Sequence, residues 1–279
     1  MRILSWNLNG RCSTAPQVAS ILSLQPDVIA LQEVTKTTVN ILRAALAAAG
    51  YDCFDSFSLA PSDFQATGPR RYALIIASCY PLAAIPPGQF PVPWPERVLS
   101  AMARTPNGLV EIHNTHVPPG SSNGWIKIEH LSGLFEGLAR SSEHARILCG
   151  DFNTPQIELL TGEIITWAQR RCSSGEWKVV RSVQGGTGIE WDAGERRILS
   201  GLAVWDMYDV YRSIHGYNKQ EASWILRRRS GDVGRRFDHI FASSALVPLH
   251  CSYVHDLRTS GLSDHSAIQA QFDWPGCAI

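Results

Sequence analysis

The sequence predicts an α/β fold, and three observations carry that prediction. The chain opens strand–helix–strand–helix. It turns strand-rich again in its last third. Several of its apolar, strand-length runs end in Asn, Glu, His or Asp where turn formers would be ordinary. At 279 residues there is ample length for a real core, and no Pro/Ser linker, composition shift or tandem repeat divides the chain. The expectation is one domain over residues 1–279.

Taken in order, Ile3 to Leu8 reads as a strand closed by Asn7-Leu8-Asn9-Gly10. A helix follows, with Pro16 in its first turn and Val18, Ile21 and Leu22 at helical spacing, and Pro26-Asp27 ends it. Val28 to Leu31 is a fully apolar strand bounded by Gln32-Glu33. A second helix is expected from about Thr35 to Ala49, with Ile41, Leu42 and Leu46 inward and Gly50 at its C-terminal end. Tyr72 to Ser78 is a strand stopped by Pro81, and the five prolines from Pro86 to Pro95 predict an irregular surface loop. Val98 to Arg104 and Leu109 to His116 predict antiparallel neighbours joined through Pro106-Asn107-Gly108.

Ile128, Leu131, Phe135 and Leu138 space a helix leading to the strand Ile147-Leu148-Cys149-Gly150-Asp151. Between Ile157 and Gly201 the spacing of Ile157, Leu160, Ile164 and Ala168 predicts a helix, then a Gly185-Gly186 loop and another short helix. Ala222 to Leu226, a basic turn, and Arg235 to Phe241 predict a hairpin. Val247 to Val254 and Ser266 to Phe272 are the last strands.

Composition excludes some classes of function. Lys plus Arg equals Asp plus Glu at 25 each, so no whole-chain field steers the protein toward nucleic acid or membrane, and any anion binding must come from a local cluster. Seven scattered cysteines with no C-x-x-C pair predict reduced thiols acting as small buried hydrophobes in a cytoplasmic protein. The opening residues are too polar for a signal sequence, and no apolar run reaches membrane-spanning length. No protein partner can be read from the chain, and a soluble monomer is expected.

The chemistry gathers at strand ends: Asn7, Glu33, His116, Asp151, Asn153, Asp238, Asp264 and His265. Period-two geometry would place Asp151 and Asn153 on one side of a strand end, facing one ligand, although an Asx-type turn gives the same Asp-x-Asn-x-Pro pattern. His239, adjacent to Asp238, points to the opposite face of its strand. The remaining histidines read as surface or satisfied structural residues.

The stretches S-W-N-L-N-G, L-Q-E-V, N-T-H-V-P-P-G, C-G-D-F-N-T-P, R-R-F-D-H-I-F-A-S and L-S-D-H-S-A-I resemble, in order and over nearly the whole chain, the endonuclease/exonuclease/phosphatase superfamily. The resemblance implies two packed mixed or antiparallel sheets flanked by helices, a four-layer α/β sandwich of the deoxyribonuclease I type. It also implies a metal-dependent phosphodiesterase with its site at one end of the packed sheets.

By the same resemblance Glu33 is the principal ligand of a Mg2+ ion, with Mn2+ as a substitute, Asn7 holds the metal or its water, and Asp264 stands in the outer shell. Asp238 and His265 match the family's Asp–His pair, in which the carboxylate fixes the imidazole tautomer. Asp151 and Asn153 would position the attacking water and a phosphoryl oxygen. His116 would stabilise charge that develops on the phosphate. The choice of Asp151 or His265 as base stays open at this stage.

The hairpin around Asp238 resembles the exonuclease III and apurinic endonuclease branch. That implies DNA as substrate, with Trp224 as a stacking face and Arg229, Arg235 and Arg236 on phosphates. Two positions depart from that branch: His116 stands where its members usually carry Tyr, and Pro119 where they carry a polar residue. His at that position is more typical of deoxyribonuclease, lipid-phosphatase and deadenylase branches, which keeps a small phosphorylated molecule or nucleotide as the alternative substrate.

Overall fold

A computed structural model describes residues 1–61 and 64–274. Two six-stranded sheets pack face to face. The first contains β1 (Arg2–Asn7), β2 (Val28–Thr35), β3 (Asp52–Asp55) and β4 (Tyr72–Ser78), together with the late strands β19 (Val247–Val254) and β20 (Ala267–Asp273), in the order β19-β20-β1-β2-β4-β3. The second runs β15-β18-β8-β7-β6-β5, from β5 (Leu82–Ala84), β6 (Val98–Thr105), β7 (Gly108–His116), β8 (Ala145–Asp151), β15 (Tyr208–Asp209) and β18 (Asp238–Ala242). Each sheet holds one parallel pair, β1 with β2 and β7 with β8, among antiparallel neighbours, so both are mixed.

Alternation along the strands builds three apolar layers from single sequence runs. Ile3, Val28, Ala30 and Ile76 meet Ala101, Ile112, Ile147 and Ile240 between the sheets. Their neighbours Leu4, Ile29, Leu31 and Ile75 face outward and are covered by α1 (Thr14–Ser23) and α2 (Val39–Ala48) through Val18, Ile21, Leu42 and Leu46. On the other side Leu148 and Phe241 are covered by α4 (Ile126–Leu138), preceded by a single turn α3 (Gly120–Asn123), and by α5 (Gly188–Leu199), through Leu131, Leu134, Trp191 and Ile198. The order is helix, sheet, sheet, helix, the predicted sandwich. Each fully buried Leu or Ile contributes roughly 1.5–3 kcal/mol, so the apolar central layer holds the sheets together.

One polar seam crosses that layer. Gln32 Nε2 donates to Asn114 Oδ1 at 2.7 Å and to Ser5 Oγ at 3.0 Å, and Asn114 Nδ2 donates to the carbonyls of Leu31 and Ile75, each at 2.9 Å.

The strand reading survives almost intact, and the differences have local causes. Strand β2 runs on to Thr35 through a bulge between Leu31 and Val34, so α2 begins only at Val39. This rotates Ile41 outward, 54% exposed, and puts Val39 on the inner face instead. The helix expected through Ile157, Leu160, Ile164 and Ala168 is a hairpin, β9 (Ile157–Glu158) with β10 (Ile164–Ile165). Gly162 takes φ +87° in its turn, and Leu160 is 65% exposed.

Two further small hairpins follow, β11 (Gln169–Arg171) with β12 (Trp177–Val179) and β13 (Ser182–Val183) with β14 (Gly186–Thr187), before the expected helix arrives as α5. The proline loop is less superficial than predicted, because Phe90 and Val92 are buried beneath α4 where Gly133 and Gly137 leave room. The basic hairpin forms as β16 (Trp224–Leu226) with β17 (Val233–Arg235), and α6 (Val210–His215) and α7 (Asp256–Thr259) complete the fold. Of the cysteines, Cys149 and Cys251 are buried as expected, Cys12 and Cys79 are exposed, and Cys277 lies outside the described residues.

Candidate active site

Strand register assembles the site. In the second sheet His116 pairs with Asp151 in parallel register and Asp151 pairs with Asp238 in antiparallel register, so three polar ends lie side by side. Gly150, directly before Asp151, takes φ +140°, and a Cβ there would sit 1.9 Å from the Thr115 carbonyl oxygen. Only glycine lets β8 approach β7 that closely. In the first sheet β1 delivers Asn7, and the bulge of β2 holds Glu33 at φ +52°. His265 comes from the loop before β20. Its backbone nitrogen donates to Ser263 Oγ at 3.1 Å, that hydroxyl donates to the Asn7 carbonyl at 2.6 Å, and the His265 carbonyl accepts from Trp6 Nε1 at 3.0 Å.

The side chains then converge. Asn7 Nδ2 donates to Glu33 Oε1 at 3.1 Å and Asp151 Oδ2 at 2.9 Å, while its Oδ1 accepts from the Asn9 N–H at 2.8 Å. Asn7 therefore shows its NH2 to the two carboxylates and spaces them, beside the place where it is expected to hold the metal or its water. His265 Nδ1 lies 2.8 Å from Asp238 Oδ2 and its Nε2 lies 3.8 Å from Asp151 Oδ2. His116 Nε2 lies 3.5 Å from Glu33 Oε1 and 3.8 Å from Asp151 Oδ2.

Asn153 has left the strand: at φ +51° it forms the Asx turn, its N–H donating to Asp151 Oδ1 at 2.9 Å and its Nδ2 to the Val117 carbonyl at 2.9 Å. Asp151 and Asn153 thus meet through the turn and not through strand alternation.

Arg97, which the sequence reading passed over, decides the state of His116. The buried guanidinium contacts His116 Nδ1 and can only donate, so Nδ1 is the acceptor and Nε2 carries the proton. Burial, with Arg97 beside it, holds His116 well below its ordinary range, so the ring is neutral and presents an N–H toward Glu33 and Asp151. Burial also lowers Arg97, to about 10. The sequence held a signal, since Glu96-Arg97 enters an apolar strand without an intervening turn former.

Burial raises Glu33, the Asn7 bond opposing it, and raises Asp151 to about 7. For His265 burial acts downward, but Asp238 and then Asp151 outweigh it and push the imidazole up to about 10.

The donor set fits a hard divalent cation. Ligand atoms of Glu33, His116 and Asp151 all lie within 4.8 Å of one another, as do those of Asp151, Asp238 and His265. The buried Asp151 and the half-buried Glu33 face one space with an amide and a neutral imidazole between them, an oxygen-rich set of the kind a hard cation takes. The protonated Nε2 removes His116 from the ligands, leaving Glu33 and Asp151. Asp264 is near enough to raise Glu33 electrostatically; its Oδ2 accepts from Trp224 Nε1 at 3.1 Å, and its Oδ1 is buried without a partner among the described residues.

The expected substrate residues divide. Trp224 stacks on Phe237 with centroids 5.5 Å apart and bridges in strand register to His265, which puts it beside the site. Arg229 is exposed in the hairpin turn. Arg235 lies over the Trp167 ring at 5.4 Å, and no carboxylate pairs with it among the described residues. Arg236 does not belong with them. It is buried, bonded to Glu158 at 2.6 and 2.7 Å and to Asp209 at 2.6 Å, and a guanidinium so enclosed and neutralised is not presented to a phosphate. His239 points away, as expected, to the Thr154 carbonyl at 2.9 Å.

Compared with known proteins, residues 4–265 match the Endonuclease/Exonuclease/phosphatase family. A search of curated protein sequences returns no match. Among solved structures the chain is similar to an AP endonuclease from Archaeoglobus fulgidus, with TM-score 0.68 and 19% identity over 98% of this chain and 99% of that one. It is similar to the 3′ phosphatase NExo from Neisseria bound to a product DNA hairpin, with TM-score 0.65 and 21% identity over 98% and 100%. A humanized D. rerio TDP2 aligns with TM-score 0.66 and 19% identity over 98% of each chain. At these identities the likeness establishes the fold.

Proposed function

The chain belongs to the endonuclease/exonuclease/phosphatase family, and from that premise we propose that it is a Mg2+-dependent phosphodiesterase that hydrolyses DNA, as a 3′-exonuclease or an abasic-site endonuclease. The observation that carries the reading is the convergence of Asn7, Glu33, His116, Asp151, Asp238 and His265 at one end of the packed sheets.

Glu33 and Asp151 would hold the cation, with Asp264 behind them, and the bound ion would supply Lewis-acid stabilisation of the phosphate. The remaining work belongs to protein groups. His116 offers its Nε2–H to a phosphoryl oxygen. His265, charged by its two carboxylates, donates to the developing oxyanion. That leaves Asp151, its Oδ2 2.9 Å from Asn7 Nδ2 and 3.8 Å from His265 Nε2, as the acceptor of the water's proton. Asn7 keeps the two carboxylates apart, and Asp238 fixes His265 in the donating orientation.

DNA is favoured as substrate by the exposed Arg227, Arg228 and Arg229 and by the half-buried Trp224 beside His265, with Arg235 buried nearby over Trp167 without a carboxylate partner among the described residues. Arg236 is the specific observation behind a second reading, a small phosphorylated molecule, because its burial shortens the basic cluster.

The test is hydrolysis of labelled duplex DNA, plain and with one abasic site, beside bis-p-nitrophenyl phosphate, in Mg2+ and in EDTA. His265→Ala is expected to lose about 10²–10⁴-fold in rate. DNA cleavage that needs Mg2+ and His265 supports the first reading. Cleavage of the ester with DNA untouched moves the protein to the second.

A further inference from the structure

Beneath the Asp151–Asn153 turn lies a buried charge that the proposed chemistry does not use. Lys127, on α4, is 1% exposed, and its Nζ donates to Glu195 Oε1 on α5 at 2.6 Å and to the Asn153 carbonyl at 2.9 Å. The same carbonyl accepts from Trp167 Nε1 at 3.0 Å. Glu195, itself fully buried, accepts from Trp191 Nε1 at 2.8 Å through Oε1 and from the Trp167 backbone N–H at 3.0 Å through Oε2. Both donors to Asn153 are thus held by one carboxylate. Space for the arrangement comes from Gly120, where a Cβ would sit 2.7 Å from the Trp191 ring and 3.3 Å from Lys127 Cδ.

An apolar residue would fill this place at lower cost, since burying an ammonium and a carboxylate is expensive even when they pair. What the pair supplies that an apolar side chain could not is two hydrogen bonds on the Asn153 carbonyl. Asn153 is a non-glycine residue at φ +51°, a conformation that needs outside support. Its N–H and Nδ2 fix Asp151 Oδ1 and the Val117 carbonyl, so a shift of its peptide would displace the carboxylate from Asn7, His116 and His265.

We infer that Lys127 and Glu195 are positioning residues of the active site: with Trp167 they lock the left-handed turn at Asn153 and so aim Asp151. The inference rests on the hydrolytic reading of that carboxylate. It gives the hairpin and α5 region between Ile157 and Leu199 a task, because Trp167 and Glu195 both come from it.

The test uses the full chain and the pair Lys127→Met with Glu195→Gln, alone and together. Each single change strands a buried partner and is expected to lower the melting temperature, and the double variant is expected to recover most of that loss. The inference expects kcat of the double variant, on whichever substrate the wild type cleaves, to stay down by about 10–100-fold with KM within about 2-fold, because a misplaced group costs rate more than binding. It also expects the Asn153 amide, bonded to Asp151, to exchange with deuterium at least about 10-fold faster, since its protection depends on local opening of the turn.

Recovery of melting temperature, kcat and Asn153 protection together would reduce the pair to packing and overturn the inference. A wild type inert on every substrate would sink the hydrolytic reading, and amide exchange alone would then decide whether the turn is braced. Should the double variant fail to fold, Trp167→Phe removes one donor without stranding a charge. It is expected to lower kcat about 3–10-fold, and wild-type kcat and exchange would again overturn the inference.

Discussion

Replacing Arg236 with alanine asks whether the arginines around the basic hairpin act as one cluster. Arg236 bonds Glu158 at 2.6 and 2.7 Å and Asp209 at 2.6 Å, and Arg212 adds a 2.6 Å contact to Glu158. Burial by itself would raise both carboxyls. Arg236 and Arg212 outweigh it at Glu158, holding that carboxyl at about 2 against an ordinary 4.5, and Arg236 with His239 holds Asp209 below the usual carboxylate range. At ~1.4 kcal/mol per pH unit, the Glu158 displacement corresponds to about 3 kcal/mol, in line with the ~3–5 kcal/mol lost when one partner of a buried pair is removed.

Arg236→Ala is therefore expected to lower the unfolding free energy by ~3–5 kcal/mol and the melting temperature by roughly 6–15 °C. The pH dependence has a definite sign. A carboxyl depressed in the folded state stabilises fully above its unfolded value, and that contribution is lost as pH falls through the folded one. For Glu158 the window runs from 4.5 down to about 2, so wild type and variant differ most near neutrality and converge in acid. Urea unfolding at about pH 7 and about pH 3 measures both effects. If Arg236→Ala kept the wild-type urea midpoint while losing DNA cleavage alone, the guanidinium would serve the substrate and the buried network would be energetically idle.

Three further outcomes are expected. Changing Arg227, Arg228 and Arg229 together to Ala should cost under ~0.5 kcal/mol each in stability, raise KM for DNA, and reduce the slope of log KM against log salt by up to ~3, leaving bis-p-nitrophenyl phosphate hydrolysis unchanged. A salt titration of both substrates reads this directly. Gly150→Ala should destabilise by ~3 kcal/mol or more, from the 1.9 Å approach of its Cβ to the Thr115 carbonyl, and a wild-type urea midpoint would contradict the strand contact. Because burial raises Glu33, its charge opposes folding, and Glu33→Gln should melt at or above the wild type in EDTA yet lose the rise in melting temperature that Mg2+ gives the wild type. A Mg2+ shift of wild-type size in that variant would remove Glu33 from the cation site.

Strand ends were legible in the sequence because each is a local event, an apolar run followed by one polar residue. That pattern located Asn7, Glu33, His116 and Asp151, while Asp238, at the start of β18, and His265, in the loop before β20, were marked by the family resemblance. What stayed hidden depends on partners far along the chain. Arg235 and Arg236 look equivalent, and Glu158 and Asp209, 78 and 27 residues away, make one of them structural. Glu158 in turn sits in a stretch whose helical spacing is accidental, and Gly162 was the local warning of a turn. Lys127 carried a readable signal, for it shares the inward face of α4 with Leu131, Leu134 and Leu138 at spacings of four, seven and eleven. A cation at an inward position calls for a buried anion, and Glu195 meets that requirement from α5.

The division of the site between two sheets has a consequence during synthesis. The second sheet, with His116, Asp151 and Asp238, is complete once Ala242 has emerged, whereas the first waits for β20, which inserts between β1 and β19. His265 precedes that strand, and β1 has no neighbour on that side until Arg2 pairs with Gln271. A chain exposed only as far as Leu262 would therefore carry Glu33, Asp151 and Asp238 without His265. Pairing of β1 with β20 and delivery of His265 to Asp238 are therefore linked, and the site is completed as the first sheet closes.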